Sequence, residues 1–289
     1  MSTAIDAVRD AFRDLAAGNF VLPPRQIFGG GTVLVMSAYH SPTGTAVVKN
    51  IGIALDQVPA IRATMIWTGA GEQLVADGSS ITTLRTGAVV GIATDLLAPA
   101  DASRLTLIGT GAQAPDQVRA VLAVRRITAV TLAGRSADRA EALSRALADE
   151  FPDVRFTPST SIDDAIADAD VICCATSSTT PLFTADVLPA RVHVNAIGAF
   201  RPTMRELPRD LLATASTVLV DQTEAALEES GEIIDAITSG TLEPSDLVEL
   251  GPALSHPPHP TGRTVFKSVG IGPQDWAIAA ALARLAIPG

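Results

Sequence analysis

Polar and apolar positions along the chain change rhythm three times. Residues 5–15 carry Ile5, Val8, Phe12 and Leu15 at helical spacing, with Asp6, Arg9, Asp10 and Arg13 opposite. That spacing predicts an amphipathic opening helix that ends near Gly18-Asn19. Residues 20–76 break into short extended runs (25–28, 32–36, 45–49, 63–67 and 73–75) separated by Gly and Pro. They predict an antiparallel or mixed β layer. Asp77-Gly78 closes it, and Ser80 is the expected cap of a long helix through Leu84, Val89, Ile92 and Leu96 to the break at Pro99.

From Leu105 onward, apolar strand-like runs alternate with helical patterns. Strands are expected at 105–108, 127–133, 154–156, 171–175, 193–197, 217–220 and 264–267, with helices at 117–124, 137–148, 162–169 and 274–285. Parallel strands alternating with helices make a doubly wound sheet. The expected fold class is therefore α/β, a Rossmann-type parallel sheet beside an α+β domain. The Pro-rich stretch 239–262 reads mostly as loop, and Glu224, Glu228, Glu229 and Glu232 read as a solvated helix face or a helix-end feature.

The first run of that series breaks into Gly109-Thr110-Gly111-Ala112-Gln113-Ala114. In this Gly-x-Gly-x-x-Ala pattern Gly109 permits a tight turn, Gly111 lets the backbone approach a pyrophosphate, and Ala114 allows close helix–strand packing. Pro115 suits the first helical turn, whose free N–H groups would face phosphate. The next strand ends in Gly134-Arg135-Ser136, with no acid for a ribose hydroxyl. Arg135 with Ser136 fits the 2′-phosphate of NADP(H), with NAD(H) as the other form; equally, Arg135 reads as a solvated loop residue and Ser136 as a helix N-cap.

Composition narrows the partners. The chain has 289 residues, is 47% apolar and carries a net charge of −10. That balance argues against a nucleic-acid partner or a basic membrane-binding face and points to small molecules. The start lacks signal-peptide character, no apolar run approaches the length of a membrane span, and the expected location is the cytoplasm. Cys173 and Cys174 are adjacent in a strand, so they point to opposite faces and read as small buried hydrophobes. His256-Pro257-Pro258-His259 lies in a Pro-rich loop that sets no ligand geometry, and no metal site is expected. Arg25, Lys49 and Arg85 sit beside apolar strands or on an apolar helix, and together they offer a grip for a carboxylate, although each alone also reads as a surface residue.

Taken in order, these segments resemble the ornithine cyclodeaminase and mu-crystallin family. The likeness rests on Pro24-Arg25, Lys49, Leu84-Arg85-Thr86-Gly87-Ala88-Val89, Ile108 to Ala114, Asn195-Ala196-Ile197-Gly198-Ala199, Arg205-Glu206-Leu207, Asp221 with Glu224-Ala225-Ala226 and Glu229-Ser230-Gly231, and Thr264-Val265-Phe266-Lys267-Ser268. The resemblance implies a homodimer with a substrate-binding and dimerisation domain at 1–99 with 270–289, the N-terminal part plus the C-terminal helix, and a dinucleotide-binding Rossmann domain at 100–269. It places Arg25, Lys49 and Arg85 on the substrate carboxylate, with Lys49 also a candidate proton donor. It puts Thr110, Ala112 and Gln113 on the pyrophosphate, and Asn195, Ile197 and Gly198 near the nicotinamide; Ala175, Thr176 and Val265 complete the expected cofactor contacts, and Thr264 is expected to border the substrate.

One residue departs from the cyclodeaminase pattern. There, and in the family's alanine dehydrogenases, an acid follows the Asn-Ala-Ile/Val-Gly-Ala run; here Phe200 stands in that place, within Gly198-Ala199-Phe200-Arg201-Pro202. A phenyl ring neither takes a proton nor binds ammonium, whereas a cyclic iminium is already electrophilic. The resemblance then implies NAD(P)H-dependent reduction of cyclic ketimine acids, Δ1-pyrroline-2-carboxylate or Δ1-piperideine-2-carboxylate, to L-proline or L-pipecolate, with Phe200 as an apolar wall. The alternatives are an ornithine cyclodeaminase or amino-acid dehydrogenase using another base, and a non-catalytic NADPH-dependent binder of mu-crystallin type.

Overall fold

A computed structural model describes residues 1–54, 56–57 and 59–286; the last three residues of the expected second segment of the substrate domain, 287–289, lie outside the described residues. The chain separates into two compact units, Met1–Val89 with Ile271–Gly289, and Val90–Gly270.

The first unit opens with α1 (Ser2–Ala16), whose buried face is Ala4, Ile5, Val8, Ala11 and Phe12. Strands β1 (Phe20–Val21), β2 (Gln26–Phe28), β3 (Val33–His40), β4 (Thr45–Ile53), β5 (Ile61–Thr68) and β6 (Gln73–Asp77) follow. They form one antiparallel sheet in the order β1-β3-β4-β5-β6, with β2 pairing the same strand as β1 does. The helix α2 (Gly78–Leu97) comes next, and the boundary between the units falls inside it. Its cap is Asp77 rather than Ser80: an Asp77 carboxylate oxygen accepts the Ser79 N–H at 3.0 Å, and the other accepts the Ser80 hydroxyl at 2.6 Å. Aspartate outranks the serine because it sits one residue before the first helical turn, where the orphan N–H groups are.

The second unit is an eight-stranded sheet, wholly parallel. In chain order it contains β7 (Arg104–Ile108), α3 (Ala114–Val124), β8 (Ala129–Ala133), α4 (Ala137–Glu150), β9 (Arg155–Ser159), α5 (Ile162–Ile166), β10 (Val171–Cys174), β11 (Val192–Ala196), α6 (Arg209–Thr214), β12 (Thr217–Val220), α7 (Thr223–Glu229), α8 (Gly231–Thr238), β13 (Leu247–Glu249), α9 (Leu250–Ser255) and β14 (Arg263–Lys267). The sheet order is β13-β12-β14-β11-β10-β7-β8-β9. The chain runs outward from β7 through β8 to β9, then crosses back to β10, so the topological switch point lies between β7 and β10. Open α/β sheets bind ligands beyond the carboxyl ends of their strands at such a point. The stretch 239–262 is not all loop: β13 extends the sheet by pairing in parallel with β12, and α9 follows it. Three residues were too short a run to stand out among the prolines.

The chain returns to the first unit as α10 (Gly272–Ala286), which packs on β3, β4 and β5 and against α1. A Cβ on Gly272 would stand 2.8 Å from that of Ala38, so glycine lets the helix lie directly on the sheet. The Trp276 indole N–H donates to Thr45 at 2.8 Å on the same face. No helix among the described residues is long and apolar enough to cross a membrane.

Candidate functional site

Lys49 occupies an inward-facing position of β4, between Val47 and Ile51, and is 1% exposed. Its strand neighbours across the sheet are Met36 and Met65, both buried. An amine in such a place needs a partner. The partner is Asp275, in the first turn of α10, at 2.6 Å. Arg85, one turn after Thr82 on α2, brings its Nε to 3.4 Å from the other Asp275 oxygen, and its Nη1 donates to the Gln274 side-chain oxygen. The Lys49 ammonium also donates to the Thr82 hydroxyl at 3.4 Å.

Burial is the largest influence on Lys49 and pushes its pKa down to about 8; Asp275 pulls it back up, and Arg85 and Arg25 lower it further. Arg25, half-buried just before β2, is thus near enough to act on the ammonium. Lys49 and Arg85 meet at the Asp275 carboxylate, and Arg25 acts electrostatically on Lys49. Asp275 and Gln274 were not anticipated. Their signal in the sequence is a polar pair, Gln274-Asp275, opening a helix that is otherwise almost wholly apolar and, as it folds, buried.

In the second unit the loop after β7 has the backbone its glycines suggest. Gly109 has φ +107°, and an added Cβ would lie 2.5 Å from the Ala175 carbonyl oxygen, whereas a Cβ on Gly111 would meet nothing within 4 Å. The first glycine therefore serves the turn and its close contact with the loop after β10, while the second leaves open space above the backbone. Among the described residues, the N–H groups of Gly111, Ala112 and Gln113 find no protein acceptor. Free donors at the start of α3, with open space before them, fit a pyrophosphate. Thr110 packs beside Gly134 at the end of β8. Arg135 is exposed there, and Ser136 caps α4 by accepting the Arg139 N–H at 3.4 Å.

Ala175, Thr176, Ile197 and Gly198 all stand just past the carboxyl ends of β10 and β11. Phe200 is half-buried nearby in sequence, with the Arg201 guanidinium 5.5 Å from its ring centre. Thr264 and Val265 are the second and third residues of β14, paired with His193 and Val194. Val265 is part of the hydrophobic core, and the Thr264 hydroxyl is engaged with His193 Nδ1 at 2.9 Å.

Asn195 is fully buried, and its carboxamide is engaged inside the unit: the NH2 donates to Thr94 at 3.1 Å and to the Cys173 sulfur at 3.7 Å, and the oxygen meets His193 Nε2 at 3.1 Å. An acceptor opposite Nε2 gives His193 its proton on that nitrogen and leaves Nδ1 to accept the Thr264 hydroxyl. Burial pushes the imidazole pKa down to about 3, so it stays neutral. Cys173 and Cys174 are buried free thiols, as their strand position suggests.

Of the four glutamates read as a solvated face, Glu224 and Glu228 are exposed and Glu229 is half-buried, but Glu232 is 2% exposed and pairs with Lys267 at 3.1 Å. The helical pattern shows which side of α8 is inward but not that a lysine from β14 waits there. Glu206 and Asp221 also proved to be buried acids. Asp221 accepts the Ser268 hydroxyl and the Val269 and Gly270 N–H groups, closing the turn after β14.

A profile of the ornithine cyclodeaminase/mu-crystallin family matches residues 1–284. A Δ1-pyrroline-2-carboxylate reductase of Bacillus cereus is 41% identical over 225 residues, 75% of this chain and 68% of that protein. The structure of Thermococcus litoralis Δ1-pyrroline-2-carboxylate reductase in complex with NADH and L-proline aligns with a TM-score of 0.90 at 27% identity, over 97% of this chain and 91% of that one. An archaeal alanine dehydrogenase dimer with bound NAD aligns with a TM-score of 0.90 at 28% identity, over 99% and 92%.

Proposed function

The chain belongs to the ornithine cyclodeaminase/mu-crystallin family, and from that premise we propose that it reduces cyclic ketimine acids such as Δ1-pyrroline-2-carboxylate and Δ1-piperideine-2-carboxylate with a nicotinamide dinucleotide. The observation that carries this reading is the buried Asp275 carboxylate shared by Lys49 and Arg85, with Arg25 near enough to act on the Lys49 ammonium. A substrate carboxylate suits the charge and the hydrogen-bonding forks that Lys49 and the two arginines offer. The reductase from Bacillus cereus and the proline complex from Thermococcus litoralis support the choice of acid.

When bound, the dinucleotide supplies a hydride. The chain's residues supply the rest. Arg85 and Arg25 grip the carboxylate, and Lys49, protonated below about pH 8, adds its charge and has a proton to give to the ring nitrogen. Asp275 keeps that proton in place by pairing with the ammonium. Phe200 offers an apolar surface and no acid, which suits an iminium and does not suit ammonia release. Holding the reacting carbons in line contributes much of the acceleration.

The loop from Gly109 to Gln113 holds the pyrophosphate, and Arg135 favours the 2′-phosphorylated dinucleotide, NADP(H). The working unit is a homodimer. Val48, Ile66 and Val75 form an exposed apolar row across β4, β5 and β6, the kind of surface that a second copy covers; the alanine dehydrogenase neighbour is a dimer.

Both imine acids, assayed with NADPH and NADH, test the reading through loss of absorbance at the nicotinamide band. Turnover is expected with at least one of them, with NADPH preferred and that preference lost in Arg135→Ala. Ammonia released from ornithine with NAD, without imine reduction, overturns it in favour of a cyclodeaminase. Tight uptake of NADPH and imine acid without turnover overturns it in favour of a binder. Sedimentation reads the dimer, which Ile66→Lys is expected to dissociate.

A further inference from the structure

Glu206 lies in a segment without regular structure before α6 and is fully buried. Its two oxygens do different things. Oε1 accepts the Thr176 N–H at 2.6 Å and the Thr176 hydroxyl at 2.9 Å. Oε2 accepts the N–H groups of Gly198 at 2.8 Å and Ala199 at 3.2 Å. One oxygen therefore holds the loop after β10 and the other the loop after β11. The second loop is gripped again from its carbonyl side, where Lys267 Nζ donates to the Ala199 oxygen at 2.5 Å.

The fit leaves no slack. A Cβ on Gly198 would overlap the backbone nitrogen and oxygen of Thr176 and come within 2.6 Å of Glu206. The loop after β10 in turn presses on the first, because the Ala175 carbonyl fills the space beside Gly109. Three loops at the carboxyl rim of the sheet, after β7, β10 and β11, are thus stacked side by side, and the carboxylate of Glu206 staples the second to the third. All four of its bonds come from donors, so the group acts as an acceptor-only anion.

We infer that Glu206 is a positioning residue for the nicotinamide half of the dinucleotide: its hydrogen bonds go to the two loops that receive that half, and the pyrophosphate loop takes none of them. The inference rests on the proposed dinucleotide binding but not on imine reduction. A glutamine in its place has one oxygen and one NH2. Whichever way it turns, one loop keeps its acceptor and the other faces a donor.

Calorimetric titration of the full-length protein with NADH and with ADP-ribose, which lacks the nicotinamide, tests this directly. Glu206→Gln is expected to weaken NADH binding by roughly 10–100-fold while ADP-ribose affinity stays within about twofold, since misplacement of a contact loop by about an ångström acts on that scale. Parallel losses for both ligands, or no loss for either, overturn the inference, because a merely structural residue moves both affinities together. If Glu206→Gln fails to fold, Thr176→Val removes a single donor from Oε1 and should show the same selectivity with a smaller loss; equal losses there overturn it as well. Wild-type protein that binds NADH but reduces no imine acid sinks the proposed reaction and leaves this experiment intact.

Discussion

Two buried lysines, one in each unit, are set in opposite charge environments. Lys49 and Arg85 share one carboxylate, Asp275, and Arg25 acts electrostatically on the ammonium. Lys267 pairs with Glu232 at 3.1 Å, gives a hydrogen bond to the Ala199 carbonyl, and acts electrostatically on a second buried acid, Glu206. The first joins two cations at one acid, and the second sets two acids on one cation. On the proposed function, the difference separates a grip for a substrate anion from a cluster whose charges are turned on the protein's own backbone. Burial drives the Lys49 pKa down to about 8, as expected of an ammonium whose counter-charge is incomplete. At Glu206 burial raises the pKa, while Lys267 and the Thr176 donors oppose the rise and hold the carboxylate to its loops.

The largest effect should come from removing Lys49. Lys49→Met keeps much of the side-chain volume and leaves Asp275 its contact with Arg85, so the fold is expected to survive. Loss of a positioned proton donor typically lowers turnover by about 10²–10⁴-fold, and loss of a charge from the grip should raise KM for the imine acid as well. Steady-state rates with NADPH check both. Turnover within a few-fold of wild type would move Lys49 from the reaction to the architecture and remove the contrast between the clusters.

The mirror experiment is Lys267→Met, read by denaturant unfolding. Removing the lysine leaves Glu232 and Glu206 buried without a cation, and breaking a buried pair in this way costs about 3–5 kcal/mol. Lys49→Met should cost less, because Arg85 remains beside Asp275 and the ammonium it removes was already disfavoured by burial. The double variant Lys267→Met with Glu232→Gln should recover part of the loss. Equal losses for the two single lysine variants would mean that Lys49 supports the fold as much as Lys267 does.

The two clusters also differ in how far the sequence discloses them. Lys49 and Arg85 were visible because a cation among apolar neighbours violates the local pattern, and the glycine loop was visible because turn geometry restricts residue type. The doubly wound sheet followed from strands and helices in alternation. What stayed hidden depends on contacts between distant segments. Asp275 meets Lys49 across 226 positions of chain, and Glu232 meets Lys267 from a helix whose acids look solvated one at a time. Thr264, Val265 and Asn195 likewise owe their surroundings to the assembled sheet. The motif gives their order along the strands, but only the register shows which of them turn their polar atoms inward. A strand of three residues, β13, is too short to carry a period at all.

The smallest effect is the most specific. Pyrrole-2-carboxylate is a planar carboxylate whose ring nitrogen does not titrate near neutrality, so the pH dependence of its binding reports the protein's own groups. The Lys49 pKa is lowered from 10.5 to about 8, so the ammonium is charged below pH 8 and loses its proton as the pH rises through that value. Binding of an anion favours the charged form. Affinity should therefore be flat below pH 8 and fall above it, approaching about tenfold per pH unit, with proton uptake on binding only on the falling limb. The arginines keep their charge throughout, so Lys49→Arg should bind the ligand with no fall in this range. A fall that persists in Lys49→Arg would assign the titration to another group, and a flat profile in the wild type would mean that the anion does not reach the cluster around Asp275.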